Sequence, residues 1–280
     1  MPQPETPAPD PAPGVITLGR AGKKTTLGGR TRVIVPLAGD AASLRSQVAA
    51  LASSRADIAE WRADTFLASL VGSHFVAAAD IQSELTSAAR YVTDASPVPV
   101  LATIRTFVEG GQAYLDDEEY CALVRCLAPL VGAVDVEISR DGAASLIEDA
   151  HGSGALAVAS FHDFEATPSD EVLAEVLAAM NHAGADVLKF ACTATSATDA
   201  ARVLAAQAWA REAYDRPIIG IAMGPAGAPT RLVGSALGSA ATFACLPGWA
   251  GSAPGQFTVE QARAVLDVVE RAGLGARSAE

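Results

Sequence analysis

The sequence predicts an α/β protein folded as a (β/α)8 TIM barrel, with a short N-terminal β-hairpin. Three observations carry that expectation. Eight short β-branched runs alternate with longer, alanine-rich helical stretches, the pattern of parallel βα units rather than of hairpins. Eight such units in about 250 residues is the size of a closed barrel. The first strand run is followed by Pro36-Leu-Ala-Gly39-Asp40, with neither GxGxxG nor GxxxxGK(S/T), so the glycine fingerprint by which a doubly wound sheet usually announces itself is missing.

The elements follow in order. Residues 1–13 are a Pro-rich stretch, Met1-Pro-Gln-Pro-Glu-Thr-Pro, continuing in kind to Pro13, and read as a disordered tail; residues 14–280 read as a single barrel domain. Residues 14–32 are polar and Gly-rich, with Val15-Ile-Thr-Leu18 as one strand of a hairpin. Strands are expected at 32–37, 57–61, 98–104, 133–138, 156–161, 186–190, 217–221 and 241–245. Helices are expected at 41–53, 116–127, 169–183, 197–214 and 258–272. Ser169 with Glu171 ahead of an apolar periodic run marks a helix start, and Gly184 marks its stop.

Composition narrows the function. The chain has 280 residues, 50% hydrophobic and 5% aromatic, with a net charge of −12. Such a charge excludes a nucleic-acid partner, because there is no basic surface to displace counterions from phosphates. A small anionic substrate needs only a few local arginines and stays open. Cys121, Cys126, Cys192 and Cys245 show no CxxC spacing and read as reduced thiols of a cytoplasmic protein. No apolar run approaches the ~20 residues of a membrane helix, and the N-terminus lacks the basic and apolar regions of a signal peptide. No membrane partner is expected.

The informative anomaly is charge at the ends of strands that ought to be apolar. The second strand ends Glu60-Trp-Arg62-Ala-Asp64, with Glu60 and Arg62 on one face. The third ends at Arg105 and is followed by Glu109-Gly-Gly; the fourth carries Asp135 and Glu137 at alternate positions. The fifth ends Ser160-Phe-His162-Asp163, the sixth holds Lys189, and Thr230-Arg231 follow the seventh. In a barrel, residues at C-terminal strand ends converge at the mouth, where catalytic groups of this architecture sit. One such charge is as often a solvated strand end as a functional group. Several, of both signs and from successive strands, read as one site.

Lys189 is the sharpest member, enclosed by Val187, Leu188, Phe190 and Ala191. Desolvation and neighbouring arginines both favour the free amine, which is what attack on a ketone requires. The competing reading is an inward structural lysine paired with Asp135 or Glu137. His162 closes the preceding strand, where an imidazole beside an iminium could move the proton next to the former carbonyl. His74, His151 and His182 fall in helical or loop stretches and receive no role. No His/Cys cluster suggests a metal.

With these residues in place, the chain resembles the type I 3-dehydroquinate dehydratases of the shikimate pathway, from about Gly14 to Ala272. The motifs that carry the resemblance are Glu60-Trp-Arg62-Ala-Asp64, Thr103-Ile-Arg105 with Glu109-Gly-Gly, and Ser160-Phe-His162-Asp163-Phe. They continue with Gly184-Ala-Asp-Val-Leu-Lys189, Met223-Gly with Thr230-Arg231-Leu, Gly238-Ser-Ala-Ala-Thr-Phe243 and Ser252-Ala-Pro-Gly-Gln256. Any one is weak; seven in the family's order are strong. The resemblance implies dehydration of 3-dehydroquinate to 3-dehydroshikimate by a homodimer, with neither cofactor nor metal. It implies that Lys189 forms a Schiff base with the substrate ketone, that His162 is general base and then acid, and that Glu109 orients the histidine. It implies a substrate-carboxylate grip at Arg231 and pocket-lining roles for Glu60, Arg62, Arg105, Ser252 and Gln256. The 252–256 segment resembles the family's closing loop.

Departures from the family pattern are few. Pro36 stands where some members have serine, Thr230 replaces a serine before the arginine, Trp249 has no assigned place, and the tail has no counterpart. Two rivals remain. A class I aldolase would share the lysine but cleave a carbon–carbon bond. A non-catalytic barrel would bind an anionic metabolite without turnover.

Overall fold

Apolar residues at alternate strand positions sort the barrel into two packed layers. The structure, a computed structural model, describes residues 14–20, 22–73, 78–249, 251 and 255–277; the Pro-rich tail, His74 and Ser252 lie outside them. The element order is β1 (Ile16–Arg20), β2 (Lys23–Leu27), β3 (Arg32–Leu37), α1 (Ala41–Leu51), β4 (Ile58–Arg62), α2 (Ala63–Ser73) and α3 (Ala78–Ala95). Then come β5 (Val100–Thr103), α4 (Asp117–Leu127), β6 (Ala133–Glu137), α5 (Ala143–Gly152), β7 (Leu156–Asp163) and α6 (Asp170–His182). The chain continues with β8 (Val187–Thr193), α7 (Ala197–Ala213), β9 (Ile218–Met223), α8 (Thr230–Val233), β10 (Ala241–Cys245), β11 (Phe257–Thr258) and α9 (Val259–Arg277).

Strands β3 to β9 pair in parallel in chain order, and β10 pairs with β3. The remaining seam, β9 to β10, closes through one parallel bridge, Ile218 to Ser239, where the Ala240 N–H donates to the Ile218 carbonyl at 2.8 Å. This is the expected (β/α)8 barrel, and β1 and β2 form the expected antiparallel hairpin.

One set of alternate residues, including Val33, Val35, Leu37, Trp61, Val134, Val136, Leu188 and Phe190, packs outward against helix residues such as Leu44, Val92, Val124, Leu177 and Val203. The other set faces the barrel interior. Ile34, Ile58, Leu101, Ala133, Val158, Val187, Ile219 and Ala241 form a single apolar cluster there, and the hairpin plugs it with Leu18 and Leu27. Each strand therefore enters the barrel apolar. On five strands the same face turns polar two residues on: Ile58 gives way to Glu60 and Arg62, Leu101 to Thr103, Ala133 to Asp135 and Glu137, Val158 to Ser160 and His162, Val187 to Lys189. Strands β9 and β10 stay apolar through Ile221, Met223 and Phe243. The period of two converts a linear pattern into a dry base and a charged mouth.

Cations of the hairpin dock on helix ends. Lys23 donates to the carbonyls of Thr93 and Asp94, and Arg20 to those of Pro129 and Ser153, where carbonyls without helical partners accumulate negative charge.

Expected and observed elements differ in several places, and helices α5 and α8 were not among the expected ones. Two helices, α2 and α3, lie between β4 and β5, because α2 begins on the residue after Arg62 with no loop or cap residue to mark it. Strands β7 and β8 run on to Asp163 and Thr193, so His162 sits within a strand. Strand β5 is shorter than expected, stopping at Thr103. Among the described residues no helix is long and apolar enough to cross a membrane.

Candidate active site

The polar positions at the strand ends converge on one pocket. It is lined by Glu60, Arg62, Thr103, Arg105, Glu109, His162, Phe164, Lys189, Arg231, Phe243 and Gln256, with Ala191, Ile221 and Met223. Eight of the nine residues expected at the site are in this lining. Ser252 lies outside the described residues.

Lys189 is 4% exposed. Its Nζ lies 3.1 Å from Asp135 Oδ2, 3.7 Å from Glu60 Oε1 and 4.9 Å from the centre of the Phe243 ring. The sequence pointed to arginines as the charges around this amine; the carboxylates of β4 and β6 are its ion-pair partners instead. The lysine is thus paired with Asp135, as the competing structural reading required, and it also lines the pocket. The two readings coexist because the pair sits at the boundary between dry base and open mouth.

Asp135 is fully buried. Its Oδ1 accepts from Arg105 Nη2 at 2.7 Å and from the Ser160 hydroxyl at 2.6 Å. Burial works against its charge, but Arg105 and Lys189 outweigh it and hold the carboxyl below the usual range. Arg105 is the hub of the network. Its Nη1 donates to Glu137 at 2.9 Å, Ser160 Oγ at 3.0 Å and Glu109 at 3.2 Å. Glu137 also takes the backbone N–H and hydroxyl of Thr106, which fixes the turn that follows β5. Arg62 is gripped through two hydrogen bonds by Asp64, at 2.8 and 2.7 Å, and Asp64 also accepts the Gln112 N–H. The Glu60 carboxylate accepts from Thr103 Oγ1 at 3.0 Å.

The turn carrying Glu109 ends at Gly110, whose φ is 77°, a left-handed conformation that suits glycine. The Phe164 ring presses on the same spot, and a Cβ there would come within 2.3 Å of it. Glu109 is thereby held against His162, with Oε2 2.9 Å from Nδ1, while Ser139 donates to Oε1 at 2.7 Å. Burial pushes the Glu109 carboxyl up to about 7 despite Arg105. Burial, with the positive charges of Arg105, Lys189 and Arg62, drives the His162 imidazole well below its ordinary value. A neutral ring that spends its Nδ1 proton on Glu109 keeps Nε2 as a basic lone pair. Arg231, on α8, is 5% exposed, and burial lowers its guanidinium to about 10, still cationic at neutral pH.

Sequence reasoning did not single out Phe164 or Phe243 as pocket walls, although both lie inside the quoted motifs. Their signal was strand parity: Phe243 stands two residues beyond the interior Ala241. Of the departures, Thr230 uses its hydroxyl on the Gly227 carbonyl at 2.7 Å, bracing the residue before Arg231. Pro36 and Trp249 are absent from the pocket lining.

A buried amine beside a histidine–carboxylate pair, in a pocket with arginines at its wall, suits carbonyl chemistry on a small anion. Known proteins agree with that chemistry. A family model described as type I 3-dehydroquinase matches residues 33–272. The chain is 35% identical over 247 residues to a 3-dehydroquinate dehydratase of Klebsiella pneumoniae, an alignment covering 86% of this chain and 94% of the relative. Among solved structures, 3-dehydroquinate dehydratase from Geobacillus kaustophilus superposes with a TM-score of 0.83 at 30% identity, covering 92% of this chain and 97% of the other. The type I enzyme from Clostridium difficile, solved with covalently modified comenic acid, gives 0.78 at 29% identity, covering 92% and 98%. The family match across most of the barrel, together with these relatives, places this chain in the type I 3-dehydroquinase family.

Proposed function

We propose that this enzyme dehydrates 3-dehydroquinate to 3-dehydroshikimate through an imine on Lys189, with His162 as general base and then general acid. The observation that carries the reading is the pairing, in one pocket, of a 4%-exposed lysine with a histidine whose Nδ1 is committed to a buried carboxylate. The covalent ligand in the Clostridium difficile relative supports covalent chemistry in this family.

The chemistry balances as follows. The Lys189 ammonium gives up one proton to become the attacking amine, two of its three protons leave with the carbonyl oxygen as water, and the third stays on Nζ as the protonated imine. That cation withdraws electrons from the neighbouring C–H bond, which a neutral ketone does far less well. Nε2 of His162 takes the proton, and the electron pair of the broken bond flows toward nitrogen. The pair then returns to form the carbon–carbon double bond as the β-hydroxyl departs, protonated by the imidazolium just formed. Water then hydrolyses the protonated imine, releasing the product ketone and returning Lys189 to its starting ammonium. Arg231 holds the substrate carboxylate, for which a planar guanidinium is suited, and Glu60, Arg62, Arg105 and Gln256 face its hydroxyls.

Borohydride reduction in the presence of 3-dehydroquinate, followed by peptide mass mapping, tests the covalent step. The adduct is expected on Lys189, and Lys189→Ala abolishes both adduct and the enone absorbance of the product. His162→Ala is expected to slow turnover by about 100-fold or more while still forming the adduct. A turnover-competent enzyme with no adduct on Lys189 sinks the proposal. Carbon–carbon cleavage in place of a new enone would point to an aldolase.

A further inference from the structure

The geometry points to Asp135 as a further catalytic group, the fixed counter-charge that stays with the Lys189 nitrogen from ammonium to protonated imine. The inference rests on the proposed covalent role of Lys189. It begins from a difference between the two carboxylates within 4 Å of Nζ. Glu60 lines the pocket, whereas Asp135 is wholly buried and absent from the lining. Asp135 therefore meets Nζ from the side away from the substrate.

Imine formation conserves charge at this nitrogen. Lysine ammonium and ketone combine to give the protonated imine and one water; two of the three ammonium protons leave with the carbonyl oxygen and the third stays on nitrogen. A cation is present at Nζ before and after. A carboxylate 3.1 Å away beneath it stabilises both forms, and the N–H that remains is the one directed at Asp135. That contact also fixes which way the imine plane faces, leaving its adjacent C–H toward the open side of the pocket.

For this role Asp135 must stay ionised in a dry place and must not move. Both conditions are met by its second oxygen, which accepts from Arg105 and Ser160 at 2.7 and 2.6 Å. Tyr120 of α4 adds a hydroxyl 3.4 Å from the Asp135 backbone carbonyl. The other charges facing this pair are Glu137 on the same strand and Glu109 after β5, both tied to Arg105, with Arg62 of β4 and His162 of β7 at the pocket wall. Arg105 absorbs much of the carboxylates' charge, so Asp135 orients Nζ without isolating it from reaction.

Asp135→Asn keeps the volume and removes the charge. Without its anion the protonated imine loses its proton more easily, so the alkaline limb of kcat is expected to move at least one unit to lower pH. The maximal kcat is expected to fall about 10- to 100-fold. Borohydride trapping at pH 6, where the imine is still protonated, is expected to persist. Asp135→Glu, which keeps the charge, is expected to retain the wild-type limb at reduced rate. An alkaline limb unmoved in Asp135→Asn overturns the inference. Should either variant fail to fold, the structure of the wild-type reduced adduct decides: Nζ is expected about 3 Å from Asp135 Oδ2, and a separation beyond about 4 Å overturns the role. Absence of any wild-type adduct would instead defeat the Lys189 reading itself.

Discussion

At the scale of single residues, the site is a set of charges whose ordinary behaviour burial has altered. Glu109 shows it best, since burial lifts its carboxyl to about 7 from an ordinary 4.5. A carboxyl with a raised value in the folded state contributes stability that is complete below about 4.5 and lost as pH rises through about 7. Glu109→Gln removes that dependence while keeping an acceptor for the His162 ring. Thermal melts at pH 5 and pH 8 are therefore expected to show the wild type losing stability relative to the variant across that interval. A constant difference between the two proteins would show that Glu109 titrates like an exposed acid. The residues themselves were largely legible. Lys189, His162, Glu109, Arg231 and Asp135 could all be picked out as charges at strand ends. Of the charged neighbours of Lys189, Asp135 was named by the competing structural reading, whereas Glu60 was not, because strand order and tilt decide which further groups reach the amine.

At the scale of elements, the N-terminal hairpin acts as a plug. Leu18 and Leu27, each 1% exposed, close the interior cluster from below, and Arg20 and Lys23 fasten the hairpin to helix ends. Leu18→Ala is expected to destabilise the protein by about 2–4 kcal/mol. Because the plug lies at the opposite end from the pocket, kcat at a permissive temperature is expected to stay within about twofold of wild type; a large loss of kcat with intact folding would show coupling between base and mouth. Five helices could be placed from periodicity and caps, such as Ser169 ahead of α6, whose hydroxyl does accept from the Val172 N–H. Helix α2 escaped because it starts at a strand end with no punctuation, and its boundary is set by packing of Phe66 and Leu67 on the barrel.

At the scale of the whole molecule, the barrel is a ring whose last seam is its thinnest. Strands β8 and β9 share six registered pairs, while β9 meets β10 through the Ile218–Ser239 bridge. Ala240→Pro removes the N–H that donates to the Ile218 carbonyl and leaves a buried acceptor unpaired. It is expected to lower stability by about 2 kcal/mol or more in denaturant titration, and an unchanged midpoint would show that the helices alone hold the ring shut. The alternation of apolar and polar residues by itself determined that the chain makes eight parallel strands and which side chains face inward, because a strand's period of two is a local property of the backbone. Which inward groups touch was decided only by closure. Asp135 and Lys189 are 54 positions apart in sequence, and no local rule brings them within hydrogen-bonding distance until strands β6, β7 and β8 are laid side by side.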